Sequence, residues 1–582
     1  MSKQITNLED IYEATEIEKP LPVPEATILE KSKVPYLTFT TDECKKKLVD
    51  LKADLKSDAK EEEDGSNFDN DDLILDDEDD LPALNIQTLS NQEEKHIALS
   101  PEQRAIINKL KLELDKSEQL LAMVQGEAGS GKTTMARTFT KELNLKTIFS
   151  ATTGTAAAPL KARTINSLLA LGLSLDFVDL LKDTTTRDTK AKIQRRLRNV
   201  KVLIIDEISM CTPVTLSRIE NRLRECFDSE KPFGGLHVIL LGDFWQFEPV
   251  SRMLKKPALY QGLVLQARKR RLEKNRAYSV GLNIFSTFKV YKLSGQQRVK
   301  DDPDFYKFLS VLRDVKKKTP ITTSWVSQLQ TLSKSDVDTD EEWEFATVAT
   351  TGNVERVNII KYQAKRYAAK NNEPVLTWRC PVRKKMVEGK NVYEELDMSH
   401  FSNSDQFCVL DKYFVRGGKC VIGENTCTTL GLGKGTTGTF MGLVWEDNEK
   451  DAPDITRLPK GKIARVPQPS YILVEAKGYT IPIKTCNAKL YVKGGKNKAI
   501  NYLNNPVDLL FAVTFHKLQG LTLDKVILSI GHHPTFKLRV EIASLYVGAS
   551  RVHSFKELRI LPCKPEKLIY LTKLKRDPLL GD

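Results

Sequence analysis

Nowhere does this sequence hold the ~18 consecutive apolar residues that a membrane-spanning helix needs, so no such helix is expected. Its opening residues, MSKQITNLED, lack the basic patch and apolar core of a secretory signal, so export is not expected. The nine cysteines are scattered; the closest pair in sequence is Cys420 with Cys427, and no C-x-x-C occurs. That spacing argues against a zinc centre, a metal cluster or a disulfide framework. The cysteines read as reduced, mostly buried thiols of an intracellular protein. No internal repeat at solenoid spacing is visible. No nuclease, primase or zinc module is visible either.

What is present is a long chain, 582 residues with 40% hydrophobic and 29% charged residues, enough for several globular domains. Its charge is unevenly placed. Residues 1–90 hold 24 acidic and 10 basic residues, yet the whole chain carries +12, so the remainder has an excess of 26 positive charges. A strongly basic body favours a polyanionic partner, because each Lys or Arg on a phosphate releases condensed counterions. The block Glu61 to Asp80, EEEDGSNFDNDDLILDDEDD, is too charged to fold alone, and residues 1–92 are expected to be disordered. Such a segment is either a solvated tail or an arm that mimics phosphate and competes for the basic groove.

From Leu99 onward, apolar strands alternate with amphipathic helices, the pattern of an α/β protein with parallel sheets. Strand-like runs fall at Leu120–Gln125, Thr147–Ser150, Val202–Ile205 and His237–Leu241, and a second α/β set begins near Tyr291 and returns near Leu509. Between them the text turns rich in Gly, Thr and Val, with short apolar segments such as Tyr471–Glu475. The expected layout is a first α/β domain over 93–290 with a small insertion near 169–199, and a second over 291–384 and 506–570. A β-rich insertion occupies 385–505, and 571–582 form a tail.

The segment Gly126-Glu127-Ala128-Gly129-Ser130-Gly131-Lys132-Thr133 matches G-x-x-x-x-G-K-[ST] between a strand and a helix, the context that motif requires. Its glycines let backbone N–H groups face phosphate oxygens. Lys132 is placed to neutralise the β and γ phosphates of ATP, and Thr133 to ligate Mg²⁺. Thr134, the second residue of the helix that Thr133 opens, joins the nucleotide-binding set. The strand Val202–Ile205 ends in Asp206-Glu207, and an acidic pair at the carboxyl end of a buried parallel strand is costly without a purpose. Asp206 is the candidate Mg²⁺ holder and Glu207 the candidate base for the attacking water. One strand later, Gly242-Asp243-Phe244-Trp245-Gln246 offers the Gln246 amide to the γ-phosphate or the water. Upstream, Ser100-Pro101-Glu102-Gln103 is both a helix start and, through Gln103, a candidate reader of the adenine edge.

Taken in order, these motifs resemble those of the superfamily-one helicases, and within them the petite-integration-frequency (PIF) family with its RecD and Dda relatives. The likeness spans about residues 97–565. Glu207-Ile208-Ser209-Met210 is similar to the family's E-I-S-M. Leu293 to Arg298, followed by Asp301 to Phe305 and Arg313, is similar to its fourth motif. Thr514 to Thr522, TFHKLQGLT, is similar to its fifth, and Tyr546 to Arg551, YVGASR, to its sixth. The resemblance implies two RecA-like domains sharing ATP, with the phosphate loop on the first and Arg298 and Arg551 reaching across from the second; Gly520 joins the nucleotide set. It implies that Thr153, Gly154 and Thr155 (the family's motif Ia), with Asn166, Thr514 and His516, contact the backbone of single-stranded or forked DNA. It further implies 5′-to-3′ travel and an SH3-like insertion that grips the strand. Departures are present: Thr164-Ile165-Asn166-Ser167-Leu168 stands where the family often has T-x-H-S-F, and Val299 follows Arg298 where a glutamine is common.

The activity so implied is ATP-dependent unwinding of DNA. Alternatives are a translocase that strips proteins from DNA, an RNA helicase, and a nucleotide-switched binding protein; the joint presence of Glu207, Gln246, Arg298 and Arg551 speaks against the last. Phe244, Trp245 and Phe515 are available for base stacking or for the core. Replication or recombination proteins are the expected partners. A nuclear site, or a cytoplasmic one in a virus or prokaryote, is the expected location. The run Arg268-Lys269-Arg270-Arg271 is either an import signal or part of the groove.

Overall fold

The computed structural model describes residues 40, 42–47, 49, 99–116, 118–172, 184–249, 258–261, 276–313, 321–387, 390–395, 404–424, 432–445, 458–491, 499–531 and 540–574. The acidic block, the basic run at 268–271, Cys427 and residues 173–183 of the expected insertion lie outside them.

The first lobe is a six-stranded parallel sheet in the order β3-β2-β4-β5-β1-β6. Its strands are β1 (Leu121–Gly126), β2 (Thr147–Ala151), β3 (Arg163–Thr164), β4 (Val202–Asp206), β5 (His237–Gly242) and β6 (Lys289–Leu293). Alternation along the strands serves two cores, as a sheet covered on both faces demands. Ala122, Val124, Ile204 and Leu241 meet Ile107 and Leu110 of α1 (Pro101–Lys116) and Met135 and Phe139 of α2 (Lys132–Leu143). Met123, Leu203, Ile205 and Leu240 face Leu216, Ile219 and Leu223 of the helix Pro213–Phe227 on the other side.

The expected lobe boundary is displaced. Lys289–Leu293 pairs with β1 over Ala122 to Gly126, so this strand completes the first sheet instead of opening the second. The second lobe is a four-stranded parallel sheet of β7 (Thr347–Thr350), β8 (Ala512–Thr514), β9 (Val526–Leu528) and β10 (Leu558–Ile560), in the order β8-β7-β9-β10. Against it pack α3 (Pro303–Arg313) and α4 (Asn353–Asn371), and α5 (Ile542–Ala549), whose residues are buried almost throughout. The last described helix runs to Lys573, and Leu571 is fully buried, so the expected tail at 571 is still part of the core.

Between α4 and β8 the chain makes an excursion of mainly antiparallel strands, with one parallel pair of Ile463–Arg465 on Val375–Arg379, that starts at Val375, ten residues before the expected 385, and ends at Leu509. Its central five-stranded sheet runs Tyr479–Lys484, Tyr471–Ala476, Thr437–Val444, Lys419–Ile422 and Val507–Leu509. Residues 42–47, expected to be disordered, form a helix. Glu43 Oε2 accepts the Thr40 N–H at 2.5 Å and Thr40 Oγ1 accepts the Glu43 N–H at 3.2 Å, a reciprocal cap, and Cys44 buries itself against Val444, Tyr471 and Leu473. Eight of the nine cysteines are described; none is in a disulfide, and five of the eight are buried.

Candidate nucleotide site and nucleic-acid face

The phosphate loop leaves β1 and enters α2 through Gly129 and Gly131, both at positive φ (79° and 78°), where glycine alone is unstrained. Lys132 Nζ donates to the carbonyls of Gly126 and Glu127, each at 2.9 Å, and so folds back along the loop. Thr133 Oγ1 donates to Asp206 Oδ2 at 2.8 Å, bringing a hydroxyl and a carboxylate side by side at the carboxyl ends of two strands. Thr134 is half-buried one position on, and Ser130 is buried. Gln103 is brought to the loop, but its amide is engaged there: Nε2 donates to Ser130 O at 2.9 Å and Gly131 O at 3.4 Å, while Oε1 accepts the Ser100 N–H.

Glu207 takes a left-handed conformation (φ 54°, ψ 43°), a strain on the order of 1–3 kcal/mol for a residue with a Cβ. Thr152 Oγ1 holds its carbonyl at 2.6 Å, and Asp206 Oδ1 accepts its N–H at 2.8 Å. Burial, then the neighbouring Asp206, pushes the Glu207 carboxyl above the ordinary carboxylate range, against the pull of Lys132, Arg551 and Gln519. Gln246 is buried beside Asp243, with its Nε2 3.4 Å from Asp243 Oδ2.

Four groups from across the cleft meet this assembly. Gln519 Nε2 donates to Glu207 Oε2 at 3.3 Å. Tyr546 of α5 donates to Asp243 Oδ2 at 2.9 Å, and its oxygen lies 3.3 Å from the Ala128 amide nitrogen. Arg313, the last residue of α3, pairs with the Glu127 carboxylate, lies 3.9 Å from Asp243 Oδ1 and sits over the Trp245 ring. Arg551 is buried; its guanidinium donates to Val547 O, Leu521 O and Ser550 Oγ, all within the second lobe, so no direct bond to the loop is formed. Burial, then Arg298, pushes the Arg551 guanidinium down to about 10, and Glu207 opposes them.

Arg298 differs from its expected place. It follows β6 of the first sheet, and its backbone N–H, with that of Gln297, lies on Gly129 O at 3.3 and 3.0 Å. Its guanidinium then points into the second lobe, to Ser550 O at 2.6 Å and Thr522 Oγ1 at 3.2 Å. It bridges the lobes from the connecting loop instead of reaching back from the second one.

The candidate nucleic-acid residues gather on another part of the interlobe seam. Thr153 caps the helix Gly154–Ala157, accepting the Ala156 N–H, and Gly154 is buried. Thr155 is crowded from two sides: a Cβ on Gly435 of the insertion would lie 2.5 Å from Thr155 Cγ2, and one on Gly520 would lie 2.9 Å from it. Gly520 is thus in contact with this face. His516 stacks on Phe247 of the first lobe at 4.1 Å between centroids and 16° between planes; burial lowers its imidazole, opposed by Glu541. Thr514 is half-buried at the start of the short helix Phe515–Leu518, and Asn166 is half-buried in the helix Ile165–Leu168. Phe244 and Phe515 belong to the core, and Trp245 is part-buried under Arg313. Arg313, Tyr546 and Gln519 stand inside quoted motifs, but no role follows from their letters, because their partners Glu127, Ala128 and Glu207 lie 186, 418 and 312 residues away, and Trp245 lies 68 residues from Arg313.

The model of the PIF1-like helicases matches residues 98–320, the phosphate loop, Asp206-Glu207 and Gln246 included. Over that stretch the chain is similar to that family. A Pif1 ATP-dependent DNA helicase of Bdellovibrio bacteriovorus is 26% identical over 475 residues, 81% of this chain and 90% of that one. The PIF1 helicase of Saccharomyces cerevisiae is 34% identical, but over 142 residues, 23% of this chain and 16% of the yeast one. A Bacteroides Pif1 crystallised with single-stranded DNA shares the fold: TM-score 0.52 at 21% identity, covering 81% of this chain and 94% of the other. Pif1 from Candida albicans also scores 0.52, at 19% identity over 83% and 98%.

Proposed function

We propose that this PIF1-like chain is an ATP-dependent DNA helicase that moves along single-stranded DNA, 5′ to 3′, and parts the duplex. The observation that carries the reading is the hydrogen bond from Gln519 to Glu207. It ties the candidate catalytic carboxylate of one lobe to the candidate strand-binding motif of the other. Thr133 and Asp206 supply hard oxygen ligands side by side, a donor set that suits Mg²⁺. A magnesium ion bound there would offset charge developing on the phosphates.

Lys132 is free to swing from the Gly126 and Glu127 carbonyls to phosphate oxygens, which are the stronger acceptors. Glu207, raised in pKa yet held between Gln519 and the field of Arg551, takes the proton of the attacking water. Gln246 orients that water, and Arg298 and Arg551 stabilise the transferring phosphoryl group once the lobes close. Opening and closing then ratchets a strand lying over Thr153, Thr155, Asn166, Thr514 and His516. Replication or recombination factors are the fitting partners.

The test is ATP turnover by the full chain with and without single-stranded DNA, followed by forked substrates tailed on either strand. Strong stimulation abolished by Lys132→Ala, with unwinding of 5′-tailed forks, is the expected result. Turnover indifferent to DNA would overturn the motor reading, and a preference for 3′ tails its direction.

A further inference from the structure

Three consecutive phosphate-loop residues are gripped from behind. Arg313 holds the Glu127 side chain, Tyr546 meets the Ala128 amide, and the backbone of Gln297 and Arg298 holds the Gly129 carbonyl. The Arg313 side chain is 15% exposed and that of Glu127 9%, so the buried Glu127 carboxylate depends on Arg313, which Asp243 at 3.9 Å and the Trp245 ring help to hold. Glu127 is also the residue whose carbonyl seats Lys132. Displacing its side chain therefore displaces the lysine's resting place. Arg313 ends α3 and Tyr546 lies in the second lobe's core on α5, while Glu127 and Ala128 follow directly on β1 of the first lobe and Ala128 is buried against that core. Relative motion of the lobes must pull on the loop through these contacts.

We infer that Arg313 is a positioning residue for the phosphate loop. With Tyr546 it forms an interlobe latch on Glu127 and Ala128 that sets the loop's hold on the two phosphates of ADP, independently of any contact to a γ-phosphate. The inference rests on the nucleotide-binding reading of the loop. It differs from the roles given to Arg298 and Arg551, since an arginine serving only the transferring phosphoryl group leaves ADP affinity alone.

The experiment is a double-mutant cycle on ADP affinity in the full chain, read with a fluorescent ADP in the absence of DNA. The four forms are wild type, Arg313→Met, Glu127→Gln and the double variant, each checked for a wild-type circular dichroism spectrum. Arg313→Met is expected to weaken ADP binding about tenfold, and the effect to shrink below about twofold when Glu127 is already Gln. Tyr546→Phe shifts affinity the same way. If Arg313→Met does not fold, Arg313→Lys, which keeps the charge but not the planar fork, enters the same cycle. Unchanged ADP affinity, or losses that simply add, would overturn the latch. Failure of the wild type itself to bind ADP would strike the nucleotide-site reading instead.

Discussion

Gln519 Nε2 lies 3.3 Å from Glu207 Oε2, joining a residue of the fifth motif to the carboxylate that follows β4. Replacing Glu207 with Gln keeps the shape but removes the proposed base. Nucleotide affinity is expected to survive while turnover falls by about two to four powers of ten. Binding measured beside steady-state turnover checks this, and retained turnover would reassign the base.

The same carboxyl sets an acid limit. It must be ionised to accept a proton, and its pKa is raised, so activity should fall as pH drops through a value higher than that of an ordinary carboxylate. A pH–turnover profile shows the limb. Its persistence at the same position after suppressing the pull of Gln519 with Gln519→Ala would exclude Glu207 as its source; the expected change is a further upward shift.

Chelation of divalent cations is expected to stop turnover. Thr133→Ala should raise the magnesium concentration needed for half-maximal rate, because the hydroxyl beside Asp206 is gone. A magnesium titration of both forms reads it directly, and identical curves would remove Thr133 from the metal's ligands.

His516 and Phe247 form a ring stack across the lobes, and burial keeps the imidazole below the usual histidine range, hence neutral at pH 7. His516→Ala should weaken single-stranded DNA binding, measured by fluorescence anisotropy, and lower the stimulation of turnover by DNA. Wild-type affinity should also fall as salt rises, through counterion release. An affinity untouched by His516→Ala would remove that residue from the strand's path.

Asp508 holds the insertion to the second lobe. It accepts Lys412 at 2.8 Å, Arg356 at 3.3 Å and Lys517 at 3.4 Å. Burial pushes its carboxyl up, but those three cations outweigh it and hold the carboxyl well below the usual range. A depressed pKa contributes stability above the unfolded value and loses it as pH falls through the folded one. Asp508→Asn leaves three cations uncompensated and should cost about 3–5 kcal/mol, seen as a lower denaturant midpoint.

The sequence made the phosphate loop, Asp206-Glu207 and the order of later motifs legible because each is a short run whose chemistry depends on neighbours in the chain. The boundary after β6 was not legible: Lys289–Leu293 abuts the fourth motif, and pairing with β1 is a long-range fact. Arg313 and Tyr546 carry no local signal of their partners, Glu127 and Asp243. Phe244 and Phe515 fit a stacking platform or a core equally well by pattern, and packing decides for the core. The helix at 42–47 did have a signal, the Thr40-x-x-Glu43 cap, but the acidic composition of the whole segment 1–92 masked the motif.

Thr155 touches Gly435 and Gly520 at once, so a piece of the first lobe, the turn of the insertion and the second lobe share one threonine side chain. The insertion is spliced into the second lobe alone, so its turn rides on the first lobe without covalent attachment there. Any hinge rotation has to drag that turn over the threonine methyl. Swapping either glycine for a bulkier residue would wedge the hinge, making this small contact a built-in gauge of how far the two halves have swung.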